Sequence, residues 1–188
     1  MRRWLHRRGA VFRATLRPPG GTPAPGAAEH DRPALVRIST TIGWPRPLPD
    51  WVGLGIRVVD DAELDLLLAS AATEPDLWCS LRARRDVLAC SFSSAVRYPI
   101  GGVDQVVAAA PIGTPPPTTL DQLLEGRVAC PIRYRLDLAA SRGTWRGLGD
   151  LELVEQLDDD HGQRMSPPAS GPRPITTARR ALYRLAQR

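Results

Sequence analysis

The chain has 188 residues, with 19 prolines, 16 glycines and only 5% aromatic residues, a composition of one domain built from short elements and many turns, and not of a helix bundle. Its net charge of +5 comes from arginine alone, since lysine is absent, as is asparagine. Arginine spread along a whole chain is not the clustered stripe that nucleic-acid binding needs, so nucleic acid is not an expected partner. No run approaches the roughly 18 apolar residues of a membrane span, and no apolar run of signal-peptide length follows Arg2-Arg3. Cys79, Cys90 and Cys130 lack metal-ligand or redox spacing, so a cytoplasmic chain with free thiols is expected.

In chain order, residues 1–9 form a basic arm. It reads either as a contact for nucleic acid or an acidic membrane surface, or as the solvated terminus common at chain ends. Residues Ala10 to Arg17 alternate loosely as a first strand, ended by Pro18-Pro19-Gly20-Gly21. Residues 18–33 are a Pro/Gly/Ala loop. Leu35 to Ser39 alternate as a second strand, the stretch from Gly43 to Asp50 breaks with three prolines, and Val52 to Val58 resume as a third. Glu63 to Ser70 form a fourth strand, in which Leu66-Leu67-Leu68 suits burial on both faces. Glu74 to Leu88 mix Trp78, Leu81 and Leu88 with arginines and are expected as a helix covering one end.

Strand-like segments return at Val87 to Ser91, at Asp104 to Ala110, and over Arg127 to Ala139, where Val128, Cys130, Ile132, Tyr134, Leu136 and Leu138 alternate. Trp145 to Val154 would pair with the last of these as a hairpin across Ser141-Arg142-Gly143. Residues 155–174 read as a Pro-rich connector and 175–188 as a C-terminal helix. Seven or eight strands in a single domain predict a mainly β (α+β) fold, an antiparallel β-barrel with flanking helices, closed so that no edge is exposed.

Within that frame, Arg37-Ile38-Ser39, Gly43, Asp50, Gly53-Leu54-Gly55-Ile56-Arg57-Val58 and Asp65-Leu66-Leu67-Leu68 follow one another in a specific order. This order resembles the haem catalases, which carry an Arg-Phe-Ser strand, a glycine turn, an Asp, Gly-x-Ala-x-(Arg/Lys)-(Phe/Val) and an Asp-Leu strand. The resemblance implies a small catalase-like barrel with haem as cofactor. Near the end of the chain, Arg179 and Tyr183 stand at i and i+4 of the expected helix, resembling the Arg-x-x-x-Tyr whose tyrosine is the proximal haem ligand. A phenolate is a strong donor to ferric iron, and an adjacent arginine lowers the cost of its charge. The other reading leaves Tyr183 at the border of an apolar stripe made by Ala178, Ala181, Leu182 and Leu185, with its hydroxyl in water.

On the distal side, catalases present Val-His-Ala-Lys, for which the best placement here is Phe12-Arg13-Ala14-Thr15. Arg13 then sits where a histidine should, and a permanently protonated guanidinium cannot be the reversible base that peroxide deprotonation requires. The family's distal asparagine falls near Ala69 or Ser70. By resemblance Arg37 contacts a haem propionate and Ser39 supports the distal residue; the other reading of Arg37 is an outward strand residue in a surface ion pair. His30-Asp31 and Asp158-Asp159-Asp160-His161 have no further ligands at usable spacing.

The expectation is a haem-binding catalase-like protein without true catalase activity, at most a weak peroxidase or hydroperoxide-processing enzyme. Its catalytic residues would be Arg13 and Ser39, and Tyr183, Arg179 and Arg37 would hold the haem. The alternative is a haem-free barrel that binds a small apolar ligand or serves as an interaction module. The chain is short for burying haem, and a homodimer could compensate.

Overall fold

A computed structural model describes residues 8–44, 48–59, 64–72, 80–94, 96–140 and 145–157. The expected turn at 141–143, Cys79, the expected C-terminal helix, Arg179 and Tyr183 lie outside these residues.

Alternating apolar and polar side chains build four consecutive antiparallel strands: β1 (Gly9–Arg17), β2 (Arg32–Thr40), β3 (Val52–Val58) and β4 (Leu64–Ser70). Beyond them come β5 (Phe92–Ser94), β6 (Tyr98–Ile100), β7 (Val103–Pro111), the short helix α1 (Leu120–Leu124), β8 (Ile132–Ala139) and β9 (Arg146–Leu157). From β1 the sheet runs one way through β2, β3 and β4 to β5, and the other way through β9 and β8 to β7. Pairing of β5 with β7 closes the circle, and β6 hangs on β7 alone, so eight of the nine strands form a closed antiparallel barrel. Closure removes free edges, and register shifts at Arg13/Ala14 and Leu136/Asp137 supply the local bends that curvature requires.

Every second residue points inward. Phe12, Leu16, Ile38, Leu54, Ile56, Leu66, Phe92, Tyr134 and Leu136 are all under 2% exposed, and they make the interior a packed core and not a channel. Phe92 and Tyr134 meet edge to face with centroids 5.9 Å apart, and the Tyr134 hydroxyl donates to the Leu88 carbonyl at 2.7 Å.

Several expectations are corrected. Residues 80–90 are not helical: Leu81 bridges to Ala71 and Arg84 to Asp50, so this stretch is extended chain laid across one end of the barrel. Val87 and Leu88 are buried individually in bends, and the strand begins only at Phe92. The alternation from Arg127 becomes ladder only at Ile132, because Pro131 has no N–H to give. Strand β1 begins within the expected basic arm, at Gly9, and β9 runs to Leu157, three residues into the expected connector.

Among the described residues the only helix is α1. It starts with a reciprocal cap between Thr119 and Gln122, a Thr-x-x-Gln pattern legible in the sequence. The β6–β7 hairpin was also legible, as Ile100-Gly101-Gly102-Val103. Both glycines have positive φ, 60° and 76°, as its two-residue turn requires, and a Cβ on Gly101 would lie 2.4 Å from the Pro25 carbonyl oxygen.

Candidate functional site

Because one face of each strand is committed to the core, function must come from the outer face or the barrel ends. On the outer face of β1–β4 the register places Gly9, Ser39, Gly53 and Ala69 in one row, and Val11, Arg37, Gly55 and Leu67 in the next. Arg37 and Ser39 therefore stand side by side on β2, flanked on β3 by two glycines and on β1 by Gly9 and Val11. The result is a face poor in side chains, a trough about 14 Å across by three strand spacings, that is itself covered within the folded chain. Although these side chains point away from the core, Val11, Arg37 and Ser39 are only 3%, 9% and 4% exposed. Arg37 is not a surface strand residue.

The next row is Arg13, Leu35, Arg57 and Asp65. Arg57 Nε and Nη2 donate to the two carboxylate oxygens of Asp65, both at 2.7 Å, in a bidentate cross-strand pair. The pair is mostly buried and closes that end of the trough. The Gly-x-Gly-x-Arg and Asp-Leu elements of the sequence signature thus have a structural reason: they put a guanidinium and a carboxylate in register on neighbouring strands.

Asp50 has a structural reason too. Its carboxylate accepts from the backbone N–H of Ile42 (3.1 Å), Gly43 (2.6 Å) and Trp51 (2.7 Å), so it holds the β2–β3 loop closed around Gly43 at φ +78°. The Asp50 backbone also exchanges hydrogen bonds with Arg84. Ser70, near the family's asparagine position, accepts from the Val52 N–H at 3.0 Å and donates to the Arg82 carbonyl at 2.6 Å. It faces the packed end of the barrel, and Ala69 faces the trough.

The structure separates Arg13 from Ser39. The residue opposite Ser39 on β1 is Gly9; Arg13 is opposite Leu35 and Glu155, and its guanidinium lies in solvent, 66% exposed, 3.1 Å from the Glu155 carboxylate. No titratable side chain from β1 therefore stands beside the Ser39 hydroxyl.

Groups with displaced titration lie elsewhere. Burial, with a smaller contribution from Asp86, pushes the Cys90 thiol up to about 12. Burial likewise raises Tyr134 well above the ordinary phenol range, and raises Cys130 and Asp137. These are consequences of packing, and none adjoins the trough. Among the described residues no three His, Cys, Asp or Glu side chains converge as a metal site, and His30-Asp31 is drawn into a surface pair by Arg17, 3.7 Å from Asp31. No helix among the described residues is long and apolar enough to cross a membrane.

No protein-family model matches the chain, and no curated protein is detectably similar to it.

Proposed function

We propose that the outer trough of β1–β4 binds haem in a catalase-like manner, as a binding site and not as a centre of peroxide turnover. The observation that carries this reading is the pair Arg37 and Ser39, buried on an outward face whose neighbours at Gly9, Gly53 and Gly55 offer backbone only. A side-chain-poor floor with one guanidinium suits a planar ligand bearing carboxylates, which would have to displace what now buries and engages Arg37 and Ser39. Arg37 would take a propionate, and the sequence offers Tyr183 as axial ligand with Arg179 to ease the charge of its phenolate. Bound haem would supply a redox-active iron.

The proton chemistry that turnover needs is not matched in the same way. Gly9 opposite Ser39 can neither take nor return a proton, and Arg13 is engaged with Glu155. Ser39 then acts as part of the floor, and Arg13 as part of the charged exterior.

The test is an absorption spectrum of the protein produced with haem supplied, beside Tyr183→Phe and Arg37→Gln. The expected result is a stoichiometric Soret band with tyrosinate-type ferric features, lost in the first variant and weakened in the second. A colourless protein that also refuses added hemin would overturn the reading.

A second reading, a haem-free barrel acting as an interaction module, is favoured by a different observation. The interior is filled by Phe12, Phe92 and Tyr134, while apolar side chains are displayed in solvent on one barrel end.

A further inference from the structure

The barrel end at which β2 passes into β3 carries two exposed features side by side. The β2–β3 loop displays Ile42, Trp44 and Leu48, at 43%, 49% and 51% exposure. Beside it runs the extended stretch with Arg82, Arg84 and Arg85, all exposed. Asp50 joins the two, its carboxylate gripping the Ile42 and Gly43 amides and its backbone paired with Arg84. Ile42 and Gly43, at the root of the knuckle, are therefore held in place. The guanidinium groups of Arg82, Arg84 and Arg85 make no ion pair or hydrogen bond among the described residues, whereas Arg13, Arg17, Arg133 and Arg135 on the barrel wall each hold a carboxylate.

Three exposed cations beside an apolar knuckle call for a partner that is negatively charged at its surface and apolar just beneath it. An anionic lipid bilayer has that layering: headgroup charge attracts arginine, and the headgroup–acyl boundary accepts Trp, Ile and Leu. Single-stranded nucleic acid shares the charge but takes its apolar contacts by stacking bases on planar side chains. Two of the three exposed apolar residues here are aliphatic.

We propose that this end of the barrel docks on an anionic lipid surface, with Ile42, Trp44 and Leu48 entering the headgroup–acyl boundary and Arg82, Arg84 and Arg85 facing the headgroup phosphates. The docking is peripheral and falls with ionic strength, since its charges act at the surface. It stands apart from the haem reading, because the trough lies on the barrel wall and the knuckle on its end.

Co-sedimentation of the full chain with vesicles tests it. The protein should sediment with vesicles of phosphatidylserine and phosphatidylcholine in equal parts and stay in solution with phosphatidylcholine alone. Replacing Arg82, Arg84 and Arg85 together by Gln should weaken partitioning about a hundredfold, roughly fivefold per charge. Ile42→Ser with Trp44→Ala and Leu48→Ser should abolish it, while Val59→Ser with Val103→Ser at the other end should leave it unchanged. Circular-dichroism melts check that each variant folds. Failure to sediment with the anionic vesicles overturns the proposal. So does partitioning that survives both sets of substitutions, which would assign it to the basic arm, and so does tighter, Trp44-dependent binding of single-stranded RNA than of vesicles.

Discussion

The barrel wall has two outer faces made by the same kind of strand, and they differ in what their outward residues do. On β8, β9 and the neighbouring side of β1, outward positions are long and charged, and they pair across strands: Arg17 and Arg133 share Glu152, and Arg13 holds Glu155. The Arg13–Glu155 pair sits in water, where Coulomb energy is small and side-chain entropy offsets it, and the arginines that share the half-buried Glu152 are themselves about half exposed. On β1–β4 the outward positions are small or buried, with glycines flanking Arg37 and Ser39 and the Arg57–Asp65 pair at one end. A strand pattern of alternating polarity describes both, yet one face is a solubilising coat and the other is a buried surface with polar groups engaged.

That contrast can be broken most sharply at Asp65. Asp65→Ala leaves the Arg57 guanidinium without its bidentate partner in a mostly buried setting. It should cost about 3 kcal/mol in urea unfolding, against under about 0.5 kcal/mol for Glu155→Ala on the charged face. Equal costs would erase the distinction between the faces. A smaller effect is expected at Gly9, where an added Cβ would meet the Ile38 carbonyl oxygen at 2.6 Å and the Ser39 Cβ at 2.7 Å. Gly9→Ala should therefore cost about 1–2 kcal/mol through forced displacement of β2, and a neutral result would show that the trough floor yields.

The interior supplies a reference for both faces. Cys90 titrates near 12 in the folded chain, against 9.0 for the free thiol. The folded state holds this proton more tightly, so its contribution is complete below about pH 9 and is lost as pH rises toward 12. Wild type should lose about 1.4 kcal/mol more than Cys90→Ala on going from pH 8 to pH 10, as one unit beyond the unfolded value implies. Parallel pH profiles for the two would contradict the burial of this thiol.

The four strands β1–β4 were legible because each is seven to nine residues long, enough for a period of two to show. The three-residue strands β5 and β6 are too short to carry a period. In residues 80–90 the apolar side chains Leu81, Val87 and Leu88 fall at spacings that imitate a helix, yet the backbone hydrogen bonds go outward to Ser70, Ala72, Asp50 and Thr118. Of the site residues, Arg37 and Ser39 share the outward face of β2, as i and i+2 on a strand must. The distance of Arg13 from Ser39 could not be read, because pairing register depends on which residues of two strands meet and not on the order within either.

By itself, the sequence determined the long strands β1–β4, the inward and outward sets on them, the turn at Gly43, and the absence of lysine that makes every cation an arginine. These are local consequences of backbone sterics and side-chain period. The tertiary structure alone decided that β5 closes on β7, that Gly9 and not Arg13 faces Ser39, that Arg57 meets Asp65, and that Asp50 ties an apolar knuckle to the stretch bearing the exposed Arg82, Arg84 and Arg85. Each of these joins residues distant in the chain, and whether a side chain is buried, paired or left for a partner is settled by what folds against it.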